Sequence, residues 1–158
     1  MAAAWHSHLA GKLALAQALL RLAVDSNQPL QQEACKQGAI ELMLRSRRLL
    51  LYTLAGCYQQ RNGQPQSIDQ LGKLIGADAP EVQQLLALQT SADNWWNHLE
   101  QLEEAQNRPP AAKKTVSNDN IIVITAAVGA DRSLASVQAS LSALKQFSAD
   151  VEARHSEW

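Results

Sequence analysis

Between Pro29 and the Asn62-Gly63 pair the chain carries an apolar face too wide for a single neighbour. Pro29 sits where a first-turn proline belongs, and Asn62-Gly63 is a stop signal, so one long helix is predicted over about Pro29–Arg61. Ala39, Met43, Leu50, Leu54 and Cys57 form the centre of its apolar face. Ile40, Leu42, Leu49, Leu51 and Tyr58 widen that face beyond a half-cylinder. A helix patterned in this way is contacted on two sides and lies at the centre of a bundle.

The neighbours are legible from the same periodicity. A first helix is expected from about Ala4 to Val24, with Trp5, Leu9, Leu13, Ala16 and Leu20 in one stripe and Asp25-Ser26-Asn27-Gln28 as the break. Ser67-Ile68-Asp69-Gln70 reads as a capping box opening a short helix that closes at Gly76. Asp78-Ala79-Pro80-Glu81 reads as a second start, for a helix to about Leu88. Ser91 opens a helix through Trp95, Trp96, Leu99 and Leu102 to about Gln106, which Arg108-Pro109-Pro110 ends. Residues 109–119 read as a flexible linker.

Ile121-Ile122-Val123-Ile124-Thr125 is the only β-branched run, and 120–127 is expected to be a strand. A last helix follows, capped by Asp131 and running from about Arg132 to Arg154. Its Leu134, Val137, Leu141, Leu144 and Val151 make a lengthwise seam with Ser148 in one slot. The expectation is one mostly α domain over 1–158: a bundle of five to six helices, a helix-turn-helix-like corner, and one isolated β segment before the C-terminal helix. A single strand leaves its hydrogen-bonding edges unpaired, so homodimerisation through 120–127 is expected, with Ile122 and Ile124 at the interface.

Composition supports this reading and narrows the partners. Hydrophobic residues make up 46%, charged residues 18% and aromatic residues 4% of the 158, and the formal net charge is −1. That balance gives no global pull towards polyanions, and nucleic acid is disfavoured as a partner. No apolar run approaches the roughly 20 residues of a membrane span. Cys35 and Cys57 fall on one helix about 33 Å apart and cannot pair within it. With no secretory leader legible, a reducing cytoplasm is expected.

The segment QLGKLIGADAPEVQQLL, residues 70–86, has the outline of a DNA-reading helix-turn-helix. Leu71, Gly72, Ile75, Gly76, Val82 and Leu85 meet the packing demands of two short helices crossing at a turn. The outward positions read as Asp78, Glu81, Gln83 and Gln84, and the only base nearby is Lys73. Carboxylates at a helix start repel phosphate, so the segment reads as architecture. A nucleic-acid-associated regulator using 67–88 with Arg45, Arg48, Lys113 and Lys114 is the second functional reading.

Arg47 projects near the middle of the broad apolar face, beside Met43, Leu51 and Leu54. A buried guanidinium requires a partner. Glu103 falls between Leu99 and Trp96 on the tryptophan helix, and Glu100 lies at its edge. One reading is an internal salt bridge fixing how two helices meet. The other places Arg47 in a pocket that takes a small anion. Arg45 is expected to pair with Glu41, one turn earlier.

Trp95 and Trp96 point about 100° apart; Trp95 reads as core and Trp96 as an interface candidate, with the C-terminal Trp158 as another. His6 and His8 face different ways on a helix and make a poor shared metal site. Gly11, Gly56 and Gly72 read as close-packing points between helices. No nucleophile with a base, no phosphate-cradling loop and no carboxylate pair with a matching Glu-x-x-His stands out. No cofactor or metal is expected.

By its N-terminal Trp5–Leu13, Gly38-Ala39-Ile40-Glu41-Leu42, Arg47-Arg48-Leu49-Leu50, Trp95-Trp96, Asn120-Ile121-Ile122-Val123, Asp131-Arg132-Ser133 and the terminal Glu152–Trp158, the chain resembles a small proteobacterial family of about this length, a domain of unknown function. The resemblance spans nearly the whole chain and implies a fold but no activity. The functional expectation is a non-enzymatic cytoplasmic interaction or regulatory protein that self-associates and has an unknown protein partner.

Overall fold

The computed structural model describes residues 2–110 and 129–156. Among the described residues there are six helices and no strand: α1 (Ala2–Asp25), α2 (Pro29–Cys57), α3 (Ile68–Ile75), α4 (Pro80–Thr90), α5 (Trp95–Gln106) and α6 (Leu134–Ser156). The expected strand at 120–127 and all of the expected linker beyond Pro110 lie outside the described residues.

α2 is the hub. It contacts α1, α3, α5 and α6, while α4 packs on α3 and α5 and is joined to α6 through Glu81. Its buried residues include Ala39, Ile40, Met43, Leu49, Leu50, Leu51, Leu54 and Ala55, which spread around most of the helix. Two hydroxyls are buried with them. Ser46 Oγ donates to the Leu42 carbonyl (2.7 Å) and Thr53 Oγ1 to the Leu49 carbonyl (2.8 Å). Each bond is internal to the helix, so the polar atoms are satisfied without drawing on a neighbour.

α1 folds back along α2 through the three-residue link Ser26–Gln28. Gln32 Nε2 closes the end of α1 by donating to the Ala23 carbonyl (3.0 Å). The two helices approach closely at two glycines. A Cβ on Gly38 would come 3.0 Å from Leu19 Cδ1, and one on Gly56 would come 3.3 Å from Trp5 Cδ1. Gly56 is therefore the close-packing point expected of it. Gly72 faces Val82 at ordinary contact distance, 3.5 Å, and Gly11 meets nothing within 4 Å.

α6 lies along α1, α2 and α5. Val137, Leu141, Leu144, Ser148 and Val151 are buried in that seam, and Leu134 is half-buried. Gln17 and Gln138 exchange side-chain amide bonds between α1 and α6 (2.8 and 2.9 Å). Arg132 and Lys36 converge on Glu33 (2.5 and 3.0 Å), which ties the entrance of α6 to α2.

Several helix ends depart from the sequence expectation. α2 stops at Cys57, not near Arg61. Gln59 takes a left-handed conformation (φ 63°), and Gln60 N–H donates back to the Ala55 carbonyl (2.9 Å), a Schellman closure with glutamine where glycine is usual. Asn62-Gly63 belongs to the following turn. α3 starts as expected, with Ser67 Oγ accepting from Gln70 N–H (3.1 Å). α4 starts at Pro80 on an Ala79 cap, one residue after the expected Asp78, and has no side-chain capping bond because alanine carries no acceptor. α5 starts at Trp95 under Asn94 rather than at Ser91, since Asp93 (φ 59°) makes the turn between. α6 starts at Leu134. Asp131 Oδ1 accepts from Ser133 N–H (2.9 Å) and Ser133 Oγ from Ser136 N–H (3.2 Å), so aspartate and serine share the cap expected of Asp131 alone.

The left-handed residue gives a test. Replacing Gln59 by glycine relieves the Cβ penalty at that position, and the exchange is expected to raise stability by about 0.5–1 kcal/mol. Urea unfolding midpoints of the two chains check it.

Candidate functional site

Three polar clusters and one apolar surface could carry function. The first cluster joins α2 to α5. Arg47 forms an ion pair with Glu103, and its guanidinium lies 5.2 Å from the centroid of the Trp96 ring. Burial lowers the Arg47 pKa, and the charges of Glu103 and Glu100 oppose that. Arg47 Nη1 and Trp96 Nε1 are buried without a hydrogen-bond partner. Trp96 is a core ring, as is Trp95, which packs on Phe147 of α6. α5 lies between α2 and α6, so both tryptophan directions are covered. Glu100 is exposed. A groove of about 130 Å³ beside the pair is lined by Glu41, Arg45, Arg48, Glu103 and Gln106, among others. Arg45 makes no ion pair with Glu41 there.

The second cluster was not legible in the sequence. Glu81 has no exposed surface. Its carboxylate accepts from the Tyr58 hydroxyl (2.7 Å), Arg154 Nη1 (2.7 Å) and His155 Nε2 (3.1 Å). Burial works to raise the Glu81 pKa. The Tyr58 hydroxyl, its own backbone amide, His155 and Arg154 outweigh burial and hold it below the usual carboxylate range. The Tyr58 phenol is pushed up to about 12 by burial and by the carboxylate it serves. Beside it, Cys57 Sγ lies 3.5 Å from His6 Nε2. Burial, with the Glu81 charge adding to it, lifts the Cys57 thiol to about 11, so it is protonated at neutral pH and a poor nucleophile. Burial also lowers His6, whose Nδ1 has no partner. This cluster clamps the last turn of α6 over the α3–α4 corner.

The third cluster lines an open groove of about 340 Å³ between α5 and α6. His98 Nε2 donates to the Asp131 carbonyl (2.7 Å), so in the neutral ring Nδ1 accepts from Ser140 Oγ (2.6 Å). A serine bonded to a histidine is one part of a nucleophilic pair. Ser140, however, is buried in the middle of α6, where neighbouring N–H groups serve the helix and cannot form an oxyanion hole. Asp131 is held at about 2 by Ser136 and Ser133, which fixes the turn that His98 braces.

The corner at 67–88 has little to offer a phosphate backbone. Lys73 pairs with Asp69 (2.8 Å), and Gln83 Nε2 donates to the Ala77 carbonyl (2.7 Å). Glu81, expected on the outer face, points into the bundle. Ile122, Ile124 and Trp158, expected at interfaces, lie outside the described residues, as do Lys113 and Lys114. His6 is buried and His8 exposed, and no group of three or more metal-ligating side chains occurs among the described residues. No helix there is long and apolar enough to cross a membrane.

The apolar surface is on α1. Its core stripe is Leu9, Leu13, Ala16, Leu20 and Ala23. On the far side run Ala4, Gly11, Leu15, Ala18 and Leu22, all exposed, with Leu15 at 55% and Leu22 at 56%, and with the exposed Ser7 and His8 in the slot between Ala4 and Gly11. The signal was present in the sequence as a second set of three-, four- and seven-residue steps. No family model, curated protein or solved structure matches the chain.

Two predictions follow from the buried charges. Arg47 is the buried partner of its pair (13% exposed) and Glu103 the wet one (38%). Glu103→Ala strands a buried guanidinium and is expected to cost about 3 kcal/mol, whereas Arg47→Met leaves a carboxylate that hydrates and is expected to cost about 1 kcal/mol or less. Chemical denaturation of both variants checks the asymmetry. Glu81→Ala strands Arg154 and opens a cavity, and is expected to cost about 3–5 kcal/mol. Because the Glu81 pKa is lowered on folding, its stabilisation is complete above the usual carboxylate range and fades as pH falls through its folded value. The stability gap between wild type and Glu81→Ala is therefore expected to narrow as the pH is taken below about 4.5.

Proposed function

We propose that this chain is a non-catalytic helical interaction module that engages an apolar protein helix through the bare stripe of α1. The observation that carries this reading is that α1 is apolar on two opposite sides and covered on one. A helix with two apolar sides belongs between two neighbours. Among the described residues, the neighbours of α1 are α2 and α6, and Leu15 and Leu22 stay exposed. The polar clusters support the same reading, since each is spent on joining helices: Arg47 with Glu103, Glu81 with three donors, and His98 with Ser140 and Asp131.

The test is site-specific photo-cross-linking in the native cell, with the probe placed at Leu15, at Leu22 and, as a control, at the exposed Glu104. The expected result is one protein adduct shared by Leu15 and Leu22 and absent from Glu104. No adduct, or the same adducts from all three positions, would falsify the reading.

A further inference from the structure

We infer that the helix received by the bare stripe of α1 is α1 of a second copy, packed antiparallel, and this rests on the reading of that stripe as a binding face. Gly11 is the first reason. It lies in the middle of a 24-residue helix, where glycine is destabilising relative to alanine. A Cβ added there would meet nothing within 4 Å, so no contact among the described residues calls for its absence. Gly38 and Gly56 are different, because each has a neighbour's side chain within 3.3 Å of the added atom. A small residue on an open helix face is accounted for if another helix's side chain comes to rest on it.

The stripe supplies that side chain itself. A two-fold axis level with residue 13 sets Leu15 opposite Gly11 of the other copy and Leu22 opposite Ala4. The same pairs recur in the reverse direction, as an isologous interface requires. Each of the two exposed leucines then faces one of the small residues of the stripe.

Charge selects the direction. Lys12, Arg21 and Asp25 are the only Lys, Arg, Asp or Glu on α1. Parallel packing would bring Arg21 to Arg21 and Asp25 to Asp25. Antiparallel packing carries Asp25 to the first turn of the partner's α1, the positive end of the helix dipole. Two cations on α1 are few for a helix held on an anionic lipid surface, which favours a protein occupant.

Area sets the strength. α1 is about 36 Å long and its free face about 10 Å wide, on the order of 400 Å² in plan. That is about half of the roughly 800 Å² that each partner contributes to a standard interface. The dimer is therefore concentration-dependent, forming in the micromolar range or above.

Sedimentation equilibrium of the full chain from about 1 to 500 μM tests it, together with Gly11→Leu and Leu15→Glu/Leu22→Glu. The expected result is a reversible monomer–dimer equilibrium, weakened at least tenfold in both variants. Gly11→Leu keeps the fold under control, because leucine there raises helix propensity and its thermal midpoint should not fall. Direction is read by oxidising a mixture of Gly11→Cys and Leu15→Cys chains: antiparallel packing gives the mixed disulfide, whereas parallel packing gives Leu15→Cys homodimers. A monomer at 500 μM, a dimer unaffected by Gly11→Leu, or a parallel disulfide pattern overturns the inference. So does a monomer that binds vesicles of phosphatidylcholine and phosphatidylglycerol through Leu15 and Leu22. If the chain is monomeric but Leu15 and Leu22 still cross-link to another protein, the binding face stands and only the identity of its occupant falls.

Discussion

Burial of α2 around most of its circumference is the constraint on which the rest of the structure depends. A helix whose polar side is narrowed to Gln37, Glu41, Arg45 and Arg48 cannot rest on one surface, so several helices have to enclose it. α1, α3, α5 and α6 do this, and α4 is carried in with α3 and α5. Polar groups on such a helix must be satisfied within it or by an enclosing neighbour. Ser46 and Thr53 take the first course, turning back to carbonyls of their own helix. Arg47 takes the second, reaching Glu103 on α5 and lying against Trp96.

The packing depends as well on polar clasps between elements far apart in sequence. Gln17 meets Gln138, Glu33 meets Arg132, and Glu81 meets Arg154 and His155. A buried ion pair adds little net stability compared with an apolar contact of the same size, but it tolerates few alternative arrangements. The seam of α6, built of valine, leucine and serine, repeats every three or four residues and by itself marks no single register along its neighbours. The clasps at its two ends fix where it stops.

What could be read from the sequence was what the local period determines. The width of the α2 face, the seam of α6 and the crossing at Gly76 follow from residues within a few turns of one another. The inward turn of Glu81 does not, because its donors lie at positions 58, 154 and 155 and an isolated α3–α4 corner leaves the carboxylate outside. The end of α2 was misplaced because glutamine, not glycine, occupies the left-handed position. The second stripe of α1 follows the same period as the first, and a single-stripe pattern already accounts for a helix lying on a bundle. Trp96, an interface candidate by sequence, is core because α5 has α2 on one side and α6 on the other.

Terminal turns of helices ordinarily fray, since their last carbonyls lack intrahelical partners and few contacts hold them. The last turn of α6 is held differently. Arg154 and His155 are anchored to a carboxylate on α4, so this turn cannot open without exposing the charge of Glu81. Its opening is thereby tied to that of the corner, and the two form one cooperative unit. Amide protection would then extend to the end of the helix instead of decaying along it, and a cut or substitution near residue 154 would be felt at residues 68–90, about half the chain away in sequence but adjacent in space.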